Sequence, residues 1–384
     1  MSEALIPFCT TEKQRELVRA VGEHGNPTAA AKVLGMDDSY CRKAYRLVKA
    51  RATEAGVGTH FAGPQLPEGL TTKKTSTMYG ADGEVKLQWH IADKEAEDIA
   101  AAMQAASDAF KEDLPKARKV TAPEGLNSDL LNQYTITDYH LGMKAWANEC
   151  GSDWDPDIAE DLLNKWFASA VEMAPTAATG ILANIADFMH WDGVDAVTPA
   201  SGHLLDADTR FQRLIKVAIR LLRNVIRMML TKHKSVHVII AEGNHDPASS
   251  MWLREWLTVF YENEPRITVD DSAIPYYCYE HGDTALFYHH GHKRKVANVD
   301  SVFAAMFREV FGRTKHAYAH MGHLHSIDVK ETNLMLVEQH RTLASPDAYA
   351  ARGGWISGRD AKVITYSKRF GEVSRITISP EMLQ

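Results

Sequence analysis

Hydrophobic and polar positions along the chain fall into three successive patterns. The first fifty residues are helical in spacing. Thr11 can cap a helix that places Leu17, Val18 and Val21 on one face, with Gly25 near its end. Asn26-Pro27 then restarts the chain as an N-cap followed by proline at the first helical position. The short alanine-rich helix that results, residues 28–34, stops at Gly35, and Asp37, Asp38 or Ser39 caps a third helix running to about Arg51. A short helix, a glycine turn and a longer helix make the helix-turn-helix pattern.

The second pattern is weaker. Residues 55–75 hold four glycines and two prolines with little periodicity and read as a linker. Residues 76–91 predict a hairpin: Thr77, Met78 and Tyr79, a turn at residues 80–83, then Val85, Leu87 and Trp89 alternating with polar residues. Residues 92–114, rich in Ala and Glu, predict a helix stopped by Pro115.

From about Leu130 short apolar runs alternate with amphipathic stretches. Strands are expected at residues 133–137, 181–186, 236–241, 285–289 and 317–321, and helices at residues 158–173 and 211–232. Three further strands, at residues 334–339, 362–366 and 373–378, close the chain. The class is α/β with a β-rich final section.

The chemistry-bearing residues sit just after those strands: Asp138-Tyr139-His140, Asp187-Phe188-Met189-His190, Gly243-Asn244-His245-Asp246, His289-His290-Gly291-His292 and Gly322-His323-Leu324-His325. Ligands of α/β sheets gather at the carboxyl ends of strands. In extended backbone, residues two apart face the same side, so both members of Asp138/His140 and of His323/His325 can reach one ion or two adjacent ions. Mixed imidazole, carboxylate and amide donors suit Mn, Fe or Zn, with Mn²⁺ the first expectation. The blander alternative is five unrelated polar loop ends.

A length of 384 residues implies two or three units. The formal net charge of -7 does not mark the whole chain as a polyanion binder, so charge is read locally. Between Ser39 and Arg51 the charged residues are Arg42, Lys43, Arg46, Lys49 and Arg51, with no acid. Such a helix can lie in a DNA groove, or be the solvated face of a small bundle. Lys293, Arg294 and Lys295 follow His292 directly, and read either as a solvated loop or as an attractor of phosphate backbone. Cys9, Cys41, Cys150 and Cys278 are scattered without a CxxC spacing, which speaks for a reducing cytoplasm and against a cysteine zinc site. Neither a signal peptide nor a membrane-length apolar run is visible. Most of the 18 histidines are expected to be ordinary. His289, His292 and His320 are expected to hydrogen-bond and orient neighbouring ligands. Trp252, Trp256 and Phe260 are expected in the core.

The order D-x-H, D-x-x-H, G-N-H-D, an H-G step and G-H-x-H resembles the calcineurin-like metallophosphoesterase superfamily over roughly residues 130–326. The resemblance implies a four-layer αββα sandwich built on two mixed sheets. It divides the chain into residues 1–53 (helix-turn-helix), 54–75 (linker), 76–125 (hairpin and helix connector) and 126–384 (metallophosphoesterase domain). It implies two divalent metal ions: Asp138, His140 and His325 for the first, Asn244, His290 and His323 for the second, Asp187 bridging both, and His245 beside the reacting phosphate. Ala186 departs from the pattern, which has Gly before the bridging Asp. His190 resembles the nuclease branch, since the serine/threonine phosphatases usually carry Asp there. The layout, including the hairpin near Ser76 and the segments at residues 341–344 and 371–373, also resembles phage-encoded proteins with a helical arm before such a domain, which would act in host cytoplasm.

The expectation is a DNA nuclease in which a metal-bridging hydroxide attacks phosphorus. The alternatives are a phosphomonoesterase or cyclic-nucleotide phosphodiesterase with a docking bundle, and an inactive DNA-binding regulator. DNA is the expected partner; a homo-oligomer and a partner ATPase stay open.

Overall fold

A computed structural model of the chain describes residues 3–54, 70–79, 85–94, 120–199 and 202–383. It divides into two compact units, Met1–Glu95 and Ala96–Gln384.

The first unit opens with α1 (Glu12–His24), α2 (Pro27–Leu34) and α3 (Asp38–Glu54). The cap chemistry explains each boundary. Thr11 accepts from Gln14 N, and Asn26 accepts from Ala29 N ahead of Pro27. Gly25 and Gly35 close α1 and α2 in the left-handed conformation, at φ 84° and 62°, where only glycine is free of the Cβ clash. Asp37 starts α3 by accepting from Tyr40 N at 2.8 Å. Leu17, Ala20, Val21, Ala30, Ala31, Cys41 and Ala44 bury together, leaving Arg42, Lys43, Arg46 and Lys49 of α3 exposed. Arg42 pairs with Asp38 at 2.9 Å.

β1 (Leu70–Tyr79) and β2 (Val85–Lys94) form the expected antiparallel hairpin, with Thr77 opposite Gln88 and Met78 opposite Leu87. Two boundaries differ from the sequence reading. β1 begins at Leu70, inside the stretch read as linker, because the β-branched residues of Thr71-Thr72 and Thr75 favour extended backbone over a loop. β2 runs to Lys94, which takes Ala92, Asp93 and Lys94 from the expected helix at residues 92–114; its residues 95–114 lie outside the described residues.

The second unit holds two mixed sheets. The first has the order β13-β12-β3-β4-β5-β6, from β3 (Leu130–Ile136), β4 (Thr179–Asn184), β5 (Ser235–Ile240), β6 (Ile267–Val269), β12 (Ala361–Ser367) and β13 (Gly371–Ile378). β3 to β6 run parallel, and β12 joins β3 antiparallel. The second has the order β10-β11-β9-β8-β7, from β7 (Tyr277–His281), β8 (Thr284–Tyr288), β9 (His316–Met321), β10 (Asp328–Glu331) and β11 (Leu336–Gln339). Here β8, β9 and β11 run parallel.

Alternation along the strands sorts the side chains into layers. Ile181 and Ala183 of β4 meet Leu286 and Tyr288 of β8 between the sheets. Leu182, on the opposite face of β4, joins the core that also takes Cys150 of the short α4 (Ala147–Cys150) and lies under α5 (Pro156–Met173), α6 (Phe211–Lys232) and α7 (Pro247–Phe260). Ala285 and Phe287 of β8 face Val299, Phe303 and Phe311 from the short helices at Asp300–Met306 and Arg308–Arg313. Two mixed sheets back to back, with helices outside each, agree with the four-layer αββα sandwich expected from the sequence. α6 shows why the outer layer holds: Leu214, Ala218, Leu221, Val225 and Met229 recur at helical spacing, and each large one is worth roughly 1.5–3 kcal/mol on burial. Trp252, Trp256 and Phe260 pack against this core, as expected.

Candidate metal centre

The parallel strands β3, β4, β5, β8 and β9 all release their loops at the same edge. Asp138 N donates to Ala186 O at 3.0 Å and His140 N to Asp187 O at 3.0 Å, so the first two loops run alongside each other. Gly322 N donates to His290 O at 2.8 Å, which ties the loops after β8 and β9 in the same way.

The backbone in these loops is unusual. Among the described residues, the non-glycine positions at positive φ are Asp138, His140, Ala186, Asp187, His323 and His325. Each lies in, or next to, the five motifs. Left-handed backbone costs a residue with a Cβ roughly 1–2 kcal/mol, and such strain concentrates where side chains are held for chemistry. Ala186 stands at φ 72°, the conformation that explains why glycine suits that place.

Three groups of potential donors result among the described residues of these loops, and one of them, His140, His190 and His245, shares His140 with another. Asp138, His140 and His325 converge, with His325 Nε2 3.3 Å from Asp138 Oδ1 and also 3.3 Å from His140 Nε2. Asp187, His290 and His323 form a separate group. His290 connects it to that of Asp138. Its Nδ1 faces Ile185 O at 3.0 Å, so Nδ1 carries the proton and donates. Its Nε2 then faces three acceptors: Asp187 Oδ2 at 3.0 Å, Asn244 Oδ1 at 3.0 Å and Asp138 Oδ1 at 3.8 Å. A lone pair, two carboxylates and an amide oxygen repel unless a cation sits among them. A proton can be that cation: burial opposes it, but Asp187 and Asp138 outweigh burial and push His290 up to about 10. A divalent metal ion satisfies the same acceptors, and the donor set fits one. Both aspartates stay below the usual carboxylate range, because the nearby histidines outweigh burial.

The surrounding contacts hold these groups in place. Asp138 accepts from His323 N at 2.9 Å and from the Thr137 hydroxyl, and Thr342 Oγ1 donates to Asp138 O at 2.7 Å. Asp187 Oδ1 accepts from His245 N at 2.9 Å. Asp246, fully buried beneath the loop, accepts from Asp187 N at 3.1 Å and Met189 N at 3.0 Å. Burial and then the charge of Asp187 push the Asp246 carboxyl well above its usual range. Thr137, Thr342 and Asp246 were not foreseen as part of the site. Only Asp246 carried a signal, as the acid that completes Gly243-Asn244-His245-Asp246.

His245 and His190 lie against His140, at ring distances of 4.7 and 5.1 Å. His245 Nδ1 donates to His190 O at 2.8 Å, which leaves Nε2 available. His190, 1% exposed, places Nδ1 3.2 Å from His140 Nδ1 and stacks on His245. Burial and the charge of His245 hold His190 down at about 3, so it stays neutral.

His289, His292 and His320 do not take the ligand-orienting roles expected of them. His289 turns to Pro275 O at 2.7 Å and stacks on Tyr276, and His320 bonds His340 and Tyr366. Neither side chain hydrogen-bonds a proposed ligand side chain, because alternate residues of extended backbone face away from the side that holds the ligands. His292 lies 5.4 Å, ring to ring, from His290 without bonding it. Lys293, Arg294 and Lys295 are exposed. The four cysteines are free. Among the described residues no helix is long and apolar enough to cross a membrane.

Gly243 and Gly322 are the tightest approaches. A Cβ on Gly243 would fall inside the radius of Asp187 Oδ1, and one on Gly322 would overlap the Thr137 hydroxyl and Asp138 Oδ2. Gly243→Ala is therefore expected to move the Asp187 carboxylate and weaken divalent-metal binding at least about tenfold, some 1.4 kcal/mol. Isothermal titration with Mn²⁺ beside a circular-dichroism melt checks it; unchanged metal affinity in a folded variant would refute the packing argument.

No family model and no curated protein matches the chain. Similar solved structures include a predicted phosphoesterase from Streptococcus pneumoniae (11% identity, 66% of this chain and 92% of that one, TM-score 0.31). Others are an archaeal phosphodiesterase (13%, 64% and 99%, TM-score 0.32) and zinc-complexed Vps29 from Entamoeba histolytica (12%, 65% and 99%, TM-score 0.28). Likenesses this weak carry no functional inference.

Proposed function

We propose that the second unit is a two-metal phosphoesterase whose substrate is a DNA phosphodiester. The observation that carries the hydrolytic part is His290 Nε2 facing acceptors from both donor groups, which makes Asp138, Asp187 and Asn244 one continuous cation site. Asp138, His140 and His325 would hold one ion, Asn244, His290 and His323 the other, with Asp187 shared. Divalent ions there would supply Lewis acidity to phosphoryl oxygens and lower the pKa of water. The chain's own residues do the rest. Thr137, Thr342 and the backbone of His323 fix Asp138. Asp246 fixes the loop that carries Asp187. His245, held through Nδ1, offers Nε2 to the leaving oxygen or to charge developing on the phosphoryl group. His190 sets the orientation of His140 from below.

DNA as substrate is supported by the exposed Lys293, Arg294 and Lys295 near the centre, and by the exposed basic face of α3.

The test is hydrolysis by the full chain with Mn²⁺ of end-labelled single- and double-stranded DNA, p-nitrophenyl phosphate and bis-p-nitrophenyl phosphate, each repeated after chelation. Metal-dependent DNA cleavage supports the reading. Monoester turnover without DNA cleavage replaces it with a phosphatase, and inertness on all four with DNA still bound leaves a regulator. Separately, the double variant Lys43→Ala/Arg46→Ala is expected to weaken DNA binding and to reduce the slope of log K against log salt by about 2. A filter-binding series across salt measures this; an unchanged slope removes α3 from the interface.

A further inference from the structure

Between β11 and β12 the chain makes an excursion that the hydrolytic machinery does not use. Its base is built into the centre: Thr342 donates to the carbonyl of Asp138, and Trp154, which the far end of the excursion covers, donates to the carbonyl of His140 at 3.4 Å. Asp347 caps the short helix Ala348–Gly353. Both ends of the excursion are anchored by arginines. Arg352 pairs with Glu149 at 2.8 Å, and Arg359 donates to Leu343 O at 2.9 Å while lying over the Trp154 ring.

The tip between those anchors has the opposite character. It reads Arg352-Gly353-Gly354-Trp355-Ile356-Ser357-Gly358-Arg359, with glycine on both sides of two large apolar residues. Trp355 is 58% exposed and Ile356 95%, and Tyr349, in ring contact with Trp355 at 4.9 Å, is 69% exposed. Tyr349 and Trp355 thus expose two adjoining aromatic rings, tilted 57° to each other, which makes a contiguous patch rather than an isolated apolar side chain.

We propose that Trp355 and Tyr349 form a stacking platform for a nucleobase next to the scissile phosphate. This rests on the phosphodiesterase reading above and names its substrate class as nucleoside-bearing diesters. Aromatic faces accept any base. A nucleotide brings both a phosphate for the centre and a flat apolar base for the tip of the excursion rooted there. Lys293, Arg294 and Lys295 are exposed and follow His292, whose ring lies 5.4 Å from His290, so positive charge beside the same centre favours a polyanion over a neutral apolar partner.

The experiment compares two diesters with the same leaving group, thymidine 5′-(p-nitrophenyl) phosphate and methyl p-nitrophenyl phosphate, on the full chain with Mn²⁺. Trp355→Ala is expected to lower kcat/KM for the thymidine ester by about tenfold or more, through KM, and to leave the methyl ester unchanged. Trp355→Phe should restore most of the loss. Equal loss on both esters, or none on either, overturns the platform.

A second readout does not need turnover. Quenching of intrinsic fluorescence by a tetrathymidylate in chelator, absent in Trp355→Phe, supports the platform even if hydrolysis fails. Trp355-dependent binding to phosphatidylglycerol vesicles, with no response to the oligonucleotide, overturns it in favour of a lipid contact.

Discussion

Asp187→Asn is expected to abolish phosphoester hydrolysis while leaving a folded protein. The substitution keeps shape and volume but removes the charge that faces His290 Nε2 at 3.0 Å and that helps make this edge of the sheets attractive to cations. Asn can still accept from His245 N, so the loop after β5 has a partner. The carboxylate lies between donors of both groups, so its loss impairs two ion sites at once. A fall of at least about a thousandfold in kcat/KM follows, roughly 4 kcal/mol of barrier. Kinetics on bis-p-nitrophenyl phosphate, with metal stoichiometry by isothermal titration, test this. Activity within tenfold of the parent, or an unchanged metal count, would sink the assignment of Asp187.

The second large effect is on stability. Glu338 of β11 is buried between the sheets and accepts from Lys362 Nζ of β12 and Arg375 Nη1 of β13, both at 2.7 Å. These contacts join the second sheet to the first by charge. Replacing both partners with apolar residues could be neutral, but removing only the acid strands Lys362, which is 5% exposed, without a counter-charge. Glu338→Gln is therefore expected to cost about 3–5 kcal/mol in urea unfolding.

The sign with pH follows from the direction of the shift. Burial opposes ionisation of Glu338, but His340, Arg375 and Lys362 outweigh it and hold the carboxyl below its usual range. The stabilisation is present above the unfolded pKa of about 4.3 and is lost as pH falls toward the lower folded value. Wild type should thus lose stability below about pH 4 more steeply than the glutamine variant. A loss under 1 kcal/mol at neutral pH would show that the ion pairs do not hold the sheets together.

How much of this was legible depended on whether signal and cause were adjacent in the chain. β3, β4, β5, β8 and β9 announce themselves as apolar runs that stop at a polar motif, so the site's location could be read directly. α6 matched its predicted bounds because its apolar stripe runs the whole length. β10 was invisible: Asp328, Val329, Lys330 and Glu331 are all exposed, and an edge strand with both faces in water has no alternation to show. β7, Tyr277–His281, mixes aromatic and polar residues and borders β8 alone. Thr342 could not be assigned to Asp138, because 204 residues separate them and a lone threonine hydroxyl has no pattern. The pairing of Glu338 with Lys362 and Arg375 was hidden for the same reason.

The left-handed backbone at Asp138, His140, Asp187, His323 and His325 also constrains how this chain could change over descent. Asparagine, aspartate and glycine tolerate that conformation; valine and isoleucine do not. A lineage that gave up hydrolysis could shed its charges at these places without refolding its loops, provided the replacements came from the permissive few. Asparagine or glycine at the former ligand positions would then be the fossil of an abandoned enzyme, whereas β-branched replacements there would mean that the loops themselves had been rebuilt.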